Sequence, residues 1–366
     1  MVSETLPPFI AALQHEAPQR ISYAPRPLPL FLDMLHTQTA ASPERRTAAL
    51  AGLRAYQDAP RATPRKPAPA RFRKGTARVR DYAPRGSTGH PVLFVPSLIN
   101  PPHILDLLPD RSLLRWLAAQ GHRPFLLDWG TPSPDRALDI DAHVERILLP
   151  LIAKFDRPPV LVGYCLGGTM ALAAAIRSRV AGLALVAAPW RFAGLGSAAR
   201  SDIAQLWSAA RPVCERMGLV PMEVLQSGFW RLDPARTIAK YETFAQTDPD
   251  SPAFRQFVAM EDWANAGAPL PFAAGRQLFE NFVAQDGPGS GGWSLSGTPI
   301  TPDALDCPSV DFVSRNDRIV PAATAANLAD RRDLGAGHVG MIVGSGAQTQ
   351  LWEPLSDWLN SLPEPK

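Results

Sequence analysis

Val160-Leu161-Val162-Gly163-Tyr164-Cys165-Leu166-Gly167-Gly168-Thr169 decides how the chain is read. An apolar run comes first, then a turn rich in glycine, then the start of a helix. A residue at the apex of so sharp a strand-to-helix turn is forced into a strained backbone conformation. Its neighbours must be small, and they are: Gly163 before it, Gly167 and Gly168 after it. The apex side chain, Cys165, therefore stands clear of the sheet. The helix behind it offers unpaired N–H groups and the positive end of its dipole, an environment that favours a thiolate and then an oxyanion.

Outward from this stretch, strands and helices alternate. Thr76–Tyr82 is an early strand, Pro91–Pro96 a short apolar strand, Ser112–Gln120 a helix stopped by Gly121, and Arg123–Trp129 the next strand. Ile140–Ala153 has apolar residues at helical spacing with a kink expected at Pro150. Leu166–Ile176 follows as a helix and Val180–Ala187 as a strand. The alternation resumes with a strand at Ser309–Ser314, a helix at Pro321–Ala329, a last strand at Arg331–Leu334 and a closing helix at Gln348–Leu362. This order predicts an α/β class chain with a mainly parallel sheet and helices on both faces, placed at residues 76–188 and 301–366.

The remaining segments read differently. Residues 1–75 are an N-terminal helical segment, with Ser42-Pro43-Glu44 opening a helix to about Tyr56, followed by a linker rich in proline and arginine. That basic linker is either a solvated connector leading into an edge strand or a weak attractor for an anionic ligand or surface. Residues 189–300 are expected to be a helical cap or lid inserted into the core. Its aromatic residues, among them Trp190, Trp207, Trp230, Tyr241, Phe244, Phe279 and Phe282, can line an apolar acyl pocket or form the core of the cap.

Composition narrows the function. A hydrophobic share of 46% over 366 residues is enough for a large core. A net charge of +3 is too small to point to nucleic acid. No apolar run is long enough to cross a bilayer, and Met1–Thr5 lacks the start of a signal peptide, so a cytoplasmic protein is expected. Three cysteines, Cys165, Cys214 and Cys307, suit a reducing compartment and show no metal-ligand spacing.

Gly-x-Cys-x-Gly after a strand is the pattern of the nucleophile elbow of the α/β-hydrolase fold, with cysteine where serine usually stands. A cysteine alone is most often a small core residue; the surrounding order gives this one meaning. In that fold the nucleophile is followed along the chain by an acid and then a histidine. Asp317 follows the strand Ser309–Ser314, and His338 lies in a glycine loop after the next strand. His338 would take the proton of Cys165 and Asp317 would orient the imidazole. The Leu166 N–H is the expected first oxyanion donor. The second is expected from the loop after the first apolar strand, at Leu98 or Ile99.

Val95-Pro96-Ser97-Leu98-Ile99-Asn100, Ile104-Leu105-Asp106-Leu107, Ser112–Leu117, Gly121-His122 and Asp128-Trp129 resemble a signature of the polyhydroxyalkanoate synthases. Gly163–Thr169 is similar to that family's cysteine box, and Asp317–Pro321 and Gly337-His338 to its acid and base segments. Arg318 and Ala322 depart from the family's usual histidine and tryptophan. The resemblance implies an acyltransferase that polymerises 3-hydroxyacyl-coenzyme A through a thioester on Cys165, with no cofactor beyond its coenzyme A thioester substrate. It implies a polyester product and granule association. The short length suits synthases that act with a second subunit; a homodimer is the other expected assembly. A cysteine-type hydrolase, such as an intracellular polyhydroxyalkanoate depolymerase or an esterase, would use the same three residues. A non-catalytic granule-binding protein is the third alternative.

Overall fold

A computed structural model of the chain describes residues 23–61, 65–133 and 137–364. Contacts between residues divide these into two units. One comprises Lys66–Gly228 and the described residues from Gly267 onward; the other comprises the described residues up to Arg65 together with Phe229–Ala266.

The larger unit is built on an eight-stranded sheet. In chain order its strands are β1 (Ala70–Lys74), β2 (Ala77–Asp81), β3 (Pro91–Val95), β4 (Arg123–Asp128), β5 (Val160–Tyr164), β6 (Gly182–Val186), β7 (Ser309–Ser314) and β8 (Arg331–Leu334). They lie side by side in the order β1-β2-β4-β3-β5-β6-β7-β8. The first two pairings, β1 with β2 and β2 with β4, are antiparallel; all the others are parallel. Every residue of β3, β5 and β6 is buried, although neighbours along a strand point to opposite faces, so both faces are covered. The expected mainly parallel sheet with helices on both faces is the fold observed.

Several elements differ from those the sequence predicts. The expected linker already contains β1, an edge strand whose sequence Ala-Arg-Phe-Arg-Lys alternates exposed arginine with a half-buried phenylalanine. The helical run from Ile140 to Ile152 does not simply kink at Pro150. Its middle, Val144–Leu148, is a π-helix. Proline has no N–H for the regular ladder, and the wider turn just before it takes up the mismatch. The helix expected over Pro321–Ala329 is only one 3-10 turn, Ala322–Thr324. The Thr324 carbonyl that would continue it instead accepts from the N–H groups of Trp190 (2.7 Å) and Arg191 (2.9 Å).

In the smaller unit, helices Leu28–Gln38, Pro43–Asp58, Pro234–Phe244 and Pro252–Asn265 share one core. Each has proline in its first turn, and Ser42, Asp233 and Ser251 cap three of them by accepting a backbone N–H. Phe31, Tyr56, Tyr241, Phe244 and Phe257 interlock there, mostly edge to face. Gly52 lets two helices touch, since a Cβ on it would lie 1.9 Å from the Tyr241 carbonyl oxygen. Tyr241 and Lys240 both bind the buried Glu261, at 2.8 and 2.6 Å.

The aromatics expected in the cap are thus used in two places. Trp230, Tyr241 and Phe244 belong to the smaller unit's core. Trp207 stacks on Phe272 and Phe279, and Phe282 meets Phe192 and Trp293, in the larger one. Among the described residues no helix is long and apolar enough to cross a membrane.

Candidate active site

The elbow is as strained as its sequence requires. Cys165 has φ 56° and ψ −136°, outside the ordinary regions for an L residue. Its N–H is tied to the Val186 carbonyl of β6 at 3.0 Å, so the strained residue is held by the sheet beside it. The flanking glycines admit no Cβ. One on Gly163 would fall 2.4 Å from the Gly168 Cα, and one on Gly167 would fall 2.1 Å from the Val95 carbonyl oxygen. Cys165 thus sits at the C-terminal end of β5 and at the N-terminus of the helix Leu166–Arg177.

Asp317 and His338 come from the loops after β7 and β8, which leave the same end of the sheet. Arg315 N–H bonds the Leu334 carbonyl at 2.9 Å, and the Asn316 amide reaches the Gly335 carbonyl at 2.6 Å. Ser314 Oγ donates to the Ala336 carbonyl. The two loops are therefore bound to each other before either functional side chain is considered. Asp317 Oδ1 accepts from the N–H groups of Ile319 (2.8 Å) and Val320 (2.9 Å), which fixes the carboxylate. Its other oxygen, Oδ2, lies 2.5 Å from His338 Nδ1. The side chains are closed off: 9% exposed for His338 and 0% for Asp317.

The Cys165 side chain lies close enough to the imidazole to act on its charge. The three residues expected to act together are brought together. Burial alone pulls the imidazole pKa down, but the negative charge of Asp317, then that of Cys165, outweighs it and lifts the pKa to about 10. The surroundings favour the protonated form of His338.

Leu166 begins the elbow helix, so its N–H has no partner within that helix. Leu98 and Ile99 lie in the loop after β3. The Ile99 N–H is already taken by Ser97 Oγ at 3.1 Å, whereas no hydrogen bond to the Leu98 N–H is found among the described residues. His103, near this loop, is exposed on the 3-10 turn Pro102–Leu105. Asp128 is structural: it pairs with Arg80 at 2.6 Å and accepts from the Gly130 N–H. Cys214 and Cys307 are free thiols.

Sequence reading missed Tyr164. Its ring stacks on the His338 imidazole, with centroids 5.0 Å apart and planes 27° apart, and its hydroxyl donates to the His338 carbonyl at 3.1 Å. Burial, then the charges of Cys165 and Asp317, keep that hydroxyl protonated. The one signal available was a bulky aromatic where the elbow tolerates almost any residue.

Residues 92–347 match the model of the alpha/beta hydrolase family. Over 306 residues the chain is 29% identical to the poly(3-hydroxyalkanoate) polymerase subunit PhaC of Haloferax mediterranei, covering 78% of this chain and 62% of that one. It is 28% identical to the subunit of the same name from Haloarcula marismortui, covering 73% and 60%. For the subunit from Thiocystis violacea the identity is 27%, with 74% and 80% covered. The likeness read from short motifs therefore extends over about three quarters of the chain. The chain spans about three fifths of the length of the first two of these relatives.

Proposed function

This chain belongs to the alpha/beta hydrolase family, and on that premise we propose that it is an acyltransferase that polymerises 3-hydroxyacyl-coenzyme A. The carrying observation is the junction of Cys165, His338 and Asp317, with Nδ1 of the histidine 2.5 Å from the carboxylate. Similarity to poly(3-hydroxyalkanoate) polymerase subunits supplies the substrate class.

The geometry supports the following reaction. Cys165 sulfur attacks the thioester carbonyl, whose oxygen becomes an oxyanion facing the Leu166 N–H and the loop after β3. The C–S bond to coenzyme A breaks, and the leaving sulfur takes the proton held by His338. The acyl group is now a thioester on Cys165, and a thiol exchanges for a thiol at little cost in bond energy. Neutral His338 then removes the proton from the 3-hydroxyl of an acceptor, which attacks the Cys165 thioester. An ester forms, the chain lengthens by one unit, and Cys165 is released. Asp317 holds the imidazole tautomer and balances its charge throughout.

Water in place of the hydroxyacyl acceptor would make the same site a hydrolase, and an inert site would leave a granule-binding protein. The acceptor is decided by incubating the chain with 3-hydroxybutyryl-coenzyme A and following released thiol and insoluble polymer together. Thiol release with polymer supports the synthase. Release with free hydroxy acid alone transfers the reading to hydrolysis, and no release removes both. We further propose that the protein works in the cytoplasm at the surface of its polyester granule. There it would act as a homodimer or with a second synthase subunit.

A further inference from the structure

The loop after β3 is held by two hydrogen bonds that leave one donor between them. Ser97 is only 8% exposed, and its Oγ accepts from the Ile99 N–H at 3.1 Å. Trp129, at the end of β4, donates from Nε1 to the Pro96 carbonyl at 3.0 Å, a buried contact. Trp129 is held in turn: its ring meets His143 edge-on at 5.6 Å, and Thr76 Oγ1 donates to its carbonyl at 3.2 Å. The peptide joining Pro96 to Ser97 is thus pinned through its oxygen, and the peptide joining Leu98 to Ile99 through its N–H. Between them lies the Leu98 N–H, which has no hydrogen bond among the described residues.

The elbow touches this loop directly. A Cβ on Gly167 would lie 2.1 Å from the Val95 carbonyl oxygen and 2.5 Å from that of Pro96. The start of the elbow helix, where the Leu166 N–H is found, therefore abuts the pinned segment. An oxyanion donor acts only if it is aimed beforehand, since displacement by about 1 Å can cost a hundredfold in rate. A serine side chain that captures the N–H two residues on is a local means of fixing a turn. The indole N–H can only donate, so it selects one orientation of the Pro96 carbonyl.

We infer that Ser97 and Trp129 are positioning residues that aim the Leu98 N–H as the second oxyanion donor, facing that of Leu166. This rests on the acyl-transfer reading given above. Neither side chain touches the acyl group; each acts through the loop backbone.

The test uses the full chain and variants S97A, S97T and W129F. Two readouts are taken: coenzyme A release from 3-hydroxybutyryl-coenzyme A, and alkylation of Cys165 by iodoacetamide. Alkylation attacks at saturated carbon and forms no oxyanion. S97A and W129F should each lower kcat about tenfold or more, with KM and the alkylation rate within about twofold of the parent chain. S97T, which keeps the hydroxyl, should recover most of the loss. Parent-like kcat in S97A and W129F overturns the inference. So does a fall of alkylation in step with kcat, which would mean a general loss of the site, and so does an S97T no better than S97A. If the parent chain itself releases no coenzyme A, the acyl-transfer reading fails and this one with it. If the parent turns over and the variants match it, only this inference fails.

Discussion

The Tyr164 hydroxyl donates to the carbonyl oxygen of His338 at 3.1 Å, while the rings of the two residues stack at 5.0 Å. The residue just before Cys165 thus holds the backbone and the ring of His338, the residue proposed as base. A single side chain ties the elbow to the histidine loop. The Tyr164→Phe variant keeps the stack and loses the hydrogen bond, which is worth about 1 kcal/mol. We expect kcat to fall several-fold with KM unchanged, and Tyr164→Ala to fall much further. Steady-state kinetics check this; a Tyr164→Phe enzyme indistinguishable from the parent would remove the hydroxyl from the account.

His338 carries a pH signature. Its folded pKa is raised to about 10, above the roughly 6.5 of an unfolded histidine. The folded state therefore binds the proton more tightly. The stability this contributes is complete below about pH 6.5 and is lost as pH rises towards 10. Asp317→Asn removes the first charge that raises the pKa. Thermal unfolding from pH 6 to pH 10 should show a smaller decline in Tm for Asp317→Asn than for the parent. Parallel declines would contradict the ion pair.

Gly167→Ala tests the contact between the elbow and the loop after β3. The added methyl would need space 2.1 Å from the Val95 carbonyl oxygen, which is backbone and cannot swing aside. Overpacking of this kind costs about 1–3 kcal/mol, sometimes more. We expect a lower denaturation midpoint together with nearly complete loss of coenzyme A release. A stable, active Gly167→Ala chain would contradict the close approach of the loop to the elbow.

Asp311 gives the opposite pH behaviour to a salt-bridged carboxylate. It is fully buried in β7, and neither of its oxygens has a hydrogen-bond partner among the described residues. The backbone N–H groups of Ala326 and Asn327 favour its charge without reaching hydrogen-bond geometry. Burial raises its pKa to about 7, against the opposing charge of Arg331. Between about pH 4 and 7 the folded state binds more protons than the unfolded one, so this residue lowers stability as pH rises through that window. Asp311→Asn should be more stable than the parent at pH 8, with the difference gone by about pH 4. Equal stability at both pH values would refute the unpaired carboxylate.

The candidate site was legible where each piece carries its own local mark. Cys165 stands between obligatory glycines, Asp317 follows an apolar strand, and His338 sits in a glycine loop, so their order along the chain could be read before their contact was known. What escaped reading depends on partners distant in sequence. Tyr164 lies 174 residues from the carbonyl it binds, and nothing near it signals that bond. The helix expected after Pro321 yields to a carbonyl used by Trp190 and Arg191. β1 was hidden because a charged edge strand has the composition of a basic linker. Residues 229–266 read as part of the cap, yet they share a core with Phe31 and Tyr56 near the other end of the sequence.

The central claim is that Cys165 carries the acyl group, and the mass of the peptide containing it is the most direct measurement. After brief exposure of the protein to 3-hydroxybutyryl-coenzyme A and acid quenching, we expect that peptide to gain one or more hydroxybutyryl units. The peptides containing Cys214 and Cys307 should stay unmodified, and Cys165→Ala should show no adduct and no turnover. Turnover without an adduct on Cys165, or undiminished turnover in Cys165→Ala, would contradict it.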